Sequence, residues 1–132
     1  MRKATAADIP RLIEMGRKFH AQSQLPFGFD PVAVENLLTA LAINGAVIVS
    51  DHGAIGGVLN PAYCDPRWIM AVELFWWAEK DGLSLLRAFE EWAAEMGANE
   101  VRMTSLASLP RADAILRRKG YAATEISYSK VI

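Results

Sequence analysis

Cysteine, histidine and clustered charge are what this sequence has least of. A single cysteine, Cys64, among 132 residues excludes an intramolecular disulfide framework and a thiolate zinc site. The two histidines, His20 and His52, stand far apart and offer no metal-ligand spacing, so no metal is expected. Lys and Arg total 14 against 15 Asp and Glu, a net charge of −1, with no basic run. Affinity for nucleic acid or an anionic membrane rests on clustered cations, so neither partner is expected. No apolar run approaches the ~20 residues of a membrane span, and the first residues lack the apolar stretch of a signal peptide. Internal repeats, linkers and low-complexity segments are also missing. These absences point to a cytoplasmic protein with one domain over residues 1–132.

What is present suffices for a core. Hydrophobic residues make up 52% and charged residues 22% of the chain, and a chain of this length buries roughly two-thirds of its unfolded surface. The four tryptophans, Trp68, Trp76, Trp77 and Trp92, are the unusual component.

The pattern along the chain changes period several times. Arg2 to Thr5 is short and extended. Thr5 with Asp8 three residues on reads as an imperfect capping box, and Ile9, Leu12, Ile13, Gly16 and Phe19 recur at helical spacing to about His20. Gln22 to Phe29 has turn residues and no period. Asp30-Pro31 is a second helix start, with Val34, Leu37, Leu38 and Leu41 as its stripe and Asn44-Gly45 as its end. Ala46 to Ser50 and Ala54 to Leu59 read as strands joined by the turn Asp51-His52-Gly53. After the loop Asn60 to Arg67, the longest β-prone run extends from Trp68 to Trp77. Leu83 to Met96 is the clearest helix, stopped by Gly97. Val101 to Leu106 reads as a strand, Pro110 to Lys119 as a helix closed by Gly120, and Tyr121 to Ile132 as a final strand. The expectation is an α/β domain of mixed strand direction.

Three segments in this order resemble one family. Arg2-Lys3-Ala4-Thr5-Ala6-Ala7-Asp8-Ile9-Pro10-Arg11-Leu12 is similar to the usual start of the GNAT family, the acetyl-CoA-dependent N-acyltransferases. Leu85 to Ala93, continuing to Gly97-Ala98, resembles the helix after that family's pyrophosphate loop. Ala112 to Lys119 followed by Gly120-Tyr121 is similar to its late helix with a closing Gly-aromatic pair. The resemblance spans the whole chain. It implies a GNAT fold, with a central mixed sheet of about six strands flanked by four helices, and direct transfer of an acetyl group from acetyl-CoA to an amine.

Lys80-Asp81-Gly82-Leu83-Ser84 is where strand, glycine and helix start coincide. A helix N-terminus carries partial positive charge and free N–H groups, which favours a pyrophosphate. Gly82 permits close backbone approach, Ser84 offers a hydroxyl and Lys80 a charge. The alternative is a plain turn in which Asp81 or Ser84 caps the helix. The family's loop reads Arg/Gln-x-x-Gly-x-Gly/Ala and is longer; here Gly82 remains and Ser84 stands two positions on. The resemblance assigns Phe75, Trp76, Lys80, Gly82, Leu83, Ser84 and Ser108 to the cofactor, with the Trp76 backbone N–H aimed at the thioester carbonyl.

Glu73 lies in the otherwise apolar run Ala71-Val72-Glu73-Leu74-Phe75. A half-buried carboxylate there has a raised pKa, as a general base requires; a strand-edge glutamate facing water or an arginine is the other reading. The family's late-helix tyrosine is replaced by Leu116, and its asparagine by Leu109 beside Ser108. Tyr128, Tyr121, Cys64 or water are left to protonate the leaving thiolate, with Tyr128 the catalytic candidate beside Glu73. Phe27, Phe29, Tyr63 and Trp68 are candidates to line a site for a small amine or a peptide amine, or else are ordinary packing. A competing reading is a GNAT-fold binding module without transferase activity, such as a phage or assembly component. A homodimer is left open through Trp68 to Trp77 or Ile126 to Ile132.

Overall fold

Alternation of apolar residues along three consecutive strands fixes the architecture, because each strand must feed two faces of one sheet. The computed structural model describes residues 1–132. Strand β1 (Arg2–Lys3) leads through a 3-10 turn at Ala6–Asp8 into helix α1 (Ile9–Ser23), which is followed by α2 (Pro31–Asn44). Then come β2 (Gly45–Ser50), β3 (Gly53–Pro61) and β4 (Ile69–Ala78), helix α3 (Gly82–Glu95), strand β5 (Glu100–Arg102) and helix α4 (Arg111–Arg118). The sheet has five strands in chain order, antiparallel from β1 to β4, with β5 parallel to β4.

Val47 and Val49 of β2 face α1 and α2, where they pack with Leu12, Leu38 and Leu41. Ala46 and Ile48 face the other side, against Leu85, Phe89 and Ala93 of α3. The result is three layers, with two cores separated by the sheet. The helix starts follow local chemistry. Asp30 Oδ1 accepts from the Val32 and Ala33 N–H groups at 2.9 and 3.3 Å, capping α2 as its sequence suggests. The Thr5 N–H donates to Asp8 Oδ2 at 2.8 Å, and Arg2 grips both Asp8 oxygens at 2.7 and 2.8 Å. β1 is thereby pinned to the start of α1.

Two irregularities in β4 prepare the site. Opposite Gly56 and Gly57 of β3, the register slips so that Phe75 and Glu73 are the paired residues, and Leu74 is left over. This is a β-bulge, which bends the strand and re-aims side chains. Before it, Ala71 packs toward α3; after it, Phe75 and Trp77 pack toward α1 and α2, a switch of face that strict alternation forbids. Gly57 is required here, because a Cβ on it would collide with the Val72 carbonyl. The second irregularity is that β5 pairs only through Met70–Glu100, Ala71–Val101 and Val72–Arg102. Beyond Val72 the two strands part.

Two expectations are corrected here. The expected strand from Val101 to Leu106 ends at Arg102, because the chain turns away from β4 to form the wall of a cleft. The sixth strand, Tyr121 to Ile132, is not formed: Tyr121 bonds back to Leu116, and residues 122–132 join no sheet. The sheet therefore has five strands rather than about six.

Candidate active site

Where β4 and β5 separate, strand edges lose their partners. The Ile69 N–H donates to Asn99 Oδ1, and the Ile69 carbonyl accepts from the Asn99 N–H, both at 2.8 Å, so this edge of β4 faces β5. The Glu79 N–H donates to the His52 carbonyl at 3.0 Å, facing the other way. Counting back by twos, Trp77 and Phe75 bond toward β3, and Trp76 turns its N–H and C=O to the gap β5 has left. Strand alternation thus puts a backbone donor into the opening.

The opening is a cavity of about 280 Å³. Its floor is Glu73 to Trp77 of β4; Gly16, Phe19 and His20 of α1 form one wall. Leu25 and Phe29 from the α1–α2 connection, with Thr104, Leu106, Leu109 and Ala112 after β5, complete it. Gly16 lets the wall close: a Cβ there would lie 2.7 Å from Cη2 of the Trp77 indole. Phe75 and Trp77 stack with ring centroids 4.2 Å apart, so the apolar floor is rigid.

Glu73 is the only carboxylate among these lining residues, and it is 6% exposed. Its Oε2 accepts from the Thr104 N–H at 3.0 Å and the Thr104 hydroxyl at 2.7 Å. Oε1 has no protein partner and keeps contact with solvent. Burial pushes the Glu73 carboxyl above its ordinary pKa, partly offset by the two Thr104 bonds, with no cation contributing. An acceptor oxygen of raised basicity therefore faces the cleft. His20 is held from behind, with Nε2 2.7 Å from the Phe27 carbonyl and its ring against Phe29 at 5.8 Å.

At the start of α3, Asp81 adopts a left-handed φ of +59° and its side chain makes no cap bond. The first-turn N–H groups of Gly82, Leu83 and Ser84 therefore lack a capping acceptor. Gly82 lies over the Trp76 indole, its Cβ position 3.5 Å from Trp76 Cζ2, and Trp76 Nε1 is buried without a partner. Uncapped first-turn donors fit an anionic group at this end, while the Asp81 carboxylate opposes one.

The sequence-derived site residues separate into two groups. Glu73, Phe75, Trp76 and Phe29 meet at the cavity, and Gly82 lies against Trp76. Lys80, Leu83 and Ser84 are exposed at the start of α3, outside the cavity lining. Ser108 donates to the Ser23 carbonyl at 2.8 Å, tying the end of α1 to the segment before α4. Phe27 is 61% exposed and Tyr63 99% exposed; the Trp68 indole donates to Glu100 Oε1 at 2.9 Å. Tyr128 is 88% exposed on the unpaired closing segment, and Cys64 is exposed. Tyr121 donates to Glu90 Oε1 at 2.7 Å, and burial with that carboxylate pushes its hydroxyl well above the usual range. Thr104 and His20 went unread as site residues. Their contacts to Glu73 and Phe27 join distant or irregular segments, and only the α1–α2 loop composition hinted at His20.

No family model and no curated protein sequence matches the chain. Solved structures do match its fold. A transcriptional regulator from Bacillus halodurans C-125 is 15% identical, with a TM-score of 0.74 over 99% of this chain and 97% of that one. A predicted acetyltransferase from Clostridium acetobutylicum, solved with acetyl-CoA, is 12% identical with a TM-score of 0.74 over 98% and 94%. A GCN5-related N-acetyltransferase from Ralstonia eutropha JMP134 is 14% identical with a TM-score of 0.70 over 98% and 96%. With its bulged β4 and the cleft where β5 departs, this protein has the GNAT fold.

Proposed function

We propose that this protein is an N-acetyltransferase that moves an acetyl group from acetyl-CoA directly to the amine of a small molecule or peptide. The observation that carries the reading is Glu73, a buried carboxylate with one oxygen held by Thr104 and the other open to the cleft. Acetyl-CoA supplies the activated thioester. The uncapped N–H groups of Gly82, Leu83 and Ser84, with Lys80, hold its pyrophosphate, and Phe75 and Trp76 flank its thioester end. The Trp76 backbone N–H donates to the thioester carbonyl as charge develops on oxygen.

Glu73 Oε1 accepts the proton of the incoming ammonium, directly or through one water, and frees the nitrogen lone pair. A new C–N bond then forms as the C–S bond breaks; the acylated nitrogen gives its second proton to solvent, and the thiolate takes up a proton from solvent. Phe29 and the apolar wall bind the carbon frame of the amine, and the carboxylate selects its cationic end. The aromatic, nearly uncharged lining favours an amine with an apolar body over a polycation.

Calorimetry with acetyl-CoA tests the cofactor half, and thiol release across a panel of amines tests the chemistry. Micromolar binding that Gly82→Trp abolishes is the expected result. The Asp81 carboxylate at the anion end favours the second reading, a non-catalytic interaction module. Absence of heat at millimolar acetyl-CoA would overturn the enzyme reading and leave the interaction module standing.

A further inference from the structure

The stretch from Gln24 to Phe29 walls the cleft without secondary structure of its own. It makes no backbone–backbone hydrogen bond, so side chains of α1 must hold it. Gln24 opens it with a left-handed φ of +57°, which turns the chain back over the helix it has just left. Ser23 secures that turn: its hydroxyl donates to the His20 carbonyl at 2.8 Å and accepts from the Leu25 N–H at 3.3 Å. Beyond Leu25 one hydrogen bond remains, from His20 Nε2 to the Phe27 carbonyl at 2.7 Å. A carbonyl only accepts, so Nε2 carries the proton.

That bond aims an aromatic ring. Phe29 lies two residues on, its ring 5.8 Å from the His20 ring and 5.2 Å from the Arg17 guanidinium. Arg17 and His20, three residues apart, are neighbours on the surface of α1 and fix Phe29 from the same element. The other rings of this wall and floor pack on one another, with Phe19–Trp77 centroids 6.4 Å apart and Phe75–Trp77 centroids 4.2 Å apart. Phe29 is thus the lining ring whose place depends on a loop. Nothing presses that loop inward at Gly28, where an added Cβ would touch no atom. His20 is what holds it.

We propose that His20 is the positioning residue of the amine subsite: its bond to the Phe27 carbonyl sets Phe29 in the wall, so that the site takes a primary amine carried on a flat aromatic body. This rests on the acetyl-transfer reading of the same cleft. Aromatic rings favour offset or edge contacts with one another, and the cavity presents four such rings, Phe19, Phe29, Phe75 and Trp77, around one carboxylate, Glu73. A flexible aliphatic chain would gain burial there without the ring-to-ring preference, and would lose more rotamer freedom on binding. The cavity of about 280 Å³ also has to admit the thioester end of the cofactor, which keeps the amine's body small.

Calorimetric titration of the full chain with phenethylamine and with hexylamine, both without cofactor, reads the subsite; thiol release with acetyl-CoA reads the reaction. The unmodified protein should bind phenethylamine roughly three- to tenfold more tightly than hexylamine, the scale of one aromatic pair. His20→Phe keeps a ring but has no donor, and should weaken phenethylamine roughly three- to tenfold. In turnover that loss should appear in KM, with kcat and acetyl-CoA affinity holding. His20→Gln places an amide N–H where Nε2 stood and should recover the parent's values. Phe29→Leu should erase the preference between the two amines, and it carries the test should His20→Phe lose the parent's circular dichroism. Equal binding of both amines by the parent overturns the proposal. So does a His20→Phe protein that matches the parent, or a loss that falls on kcat and is not recovered by His20→Gln. His20-dependent binding of phenethylamine with no thiol released from any amine overturns the transferase reading instead, and leaves the aromatic subsite standing.

Discussion

Asp8 and Glu73 are both 6% exposed, yet the structure drives them in opposite directions. Asp8, at the start of α1, is gripped by both terminal nitrogens of Arg2 and by the Thr5 N–H, and these hold its carboxyl well below the usual range. Glu73, on the floor of the cleft, has two neutral donors from one threonine and no cation, and burial pushes it up. A buried carboxylate matched by a guanidinium is permanently charged and serves as a fastener. One left without a cation is pushed toward holding its proton, which suits it to proton transfer. Equal exposure hides a difference of depth as well as of partners: desolvation is the leading cause at Glu73, whereas the Arg2 and Thr5 hydrogen bonds outweigh it at Asp8.

Glu73→Gln breaks the reactive side of that contrast most severely. Gln can still accept both Thr104 bonds but cannot take a proton from an amine, so kcat/KM for acetyl transfer should fall by about 10²–10⁴. Stability should move the other way. A group whose folded pKa is raised gives its full stabilising contribution below its unfolded pKa and loses it as pH rises through the folded value. The variant's melting temperature should therefore gain on the parent's between mildly acidic and alkaline pH. A variant that loses both activity and stability would make Glu73 structural.

Asp8→Asn acts on the fastener, and its effect is one of stability with turnover per folded molecule unchanged. Removing the charge weakens the Arg2 and Thr5 bonds, at a cost of about 1–2 kcal/mol, held down by the exposure of the Arg2 side chain. Here the folded pKa is depressed, so the parent's advantage is fully present above the ordinary aspartate pKa. It disappears as pH falls through the folded value. Urea unfolding of both proteins should converge only in strongly acid solution.

The fastener and the base were legible to different degrees for a physical reason. Thr5, Asp8 and Pro10 lie within one helix start, so the spacing of nearby residues announces them, as Asp30-Pro31 announces α2. Glu73 stood out because an ionisable residue interrupts an apolar strand. Thr104 carried no such mark: it meets Glu73 across 31 residues, and only the parting of β5 from β4 brings them together. The same parting shortened the expected strand from Val101 to Leu106, since β-propensity is satisfied only where a neighbour supplies a ladder. Tyr121 to Ile132 has the strand pattern but no partner in its own chain, so its pattern says what it can pair with and not where.

Thr104→Val sharpens the comparison by removing one of the two donors that offset burial at Glu73. The hydroxyl bond favours the ionised carboxylate, so its loss should raise the acid limb of the pH–rate profile. At mildly acidic pH, kcat/KM should drop roughly three- to tenfold, the effect of one net hydrogen bond, and converge toward the parent at higher pH. Thr104→Ser should restore the profile. A rate loss equal at every pH would mean that Thr104 shapes the wall without tuning the base.

The smallest effect is expected from a third carboxylate, Asp81, which has neither a guanidinium nor burial. It sits at the N-terminus of α3 in a left-handed conformation, exposed and making no cap bond. Such a conformation costs a non-glycine residue about 1–2 kcal/mol, and the charge sits where the proposed pyrophosphate would lie. Asp81→Asn removes the charge and keeps the backbone; Asp81→Gly removes the strain as well. Acetyl-CoA affinity should rise about two- to fivefold in both, the scale of one charge at a helix terminus at low salt, and the gain should shrink as salt screens it. Only the glycine variant should also melt higher. Affinity unchanged in both would separate this helix end from the anion site, and the cleft around Glu73 would then have to hold its substrate without it.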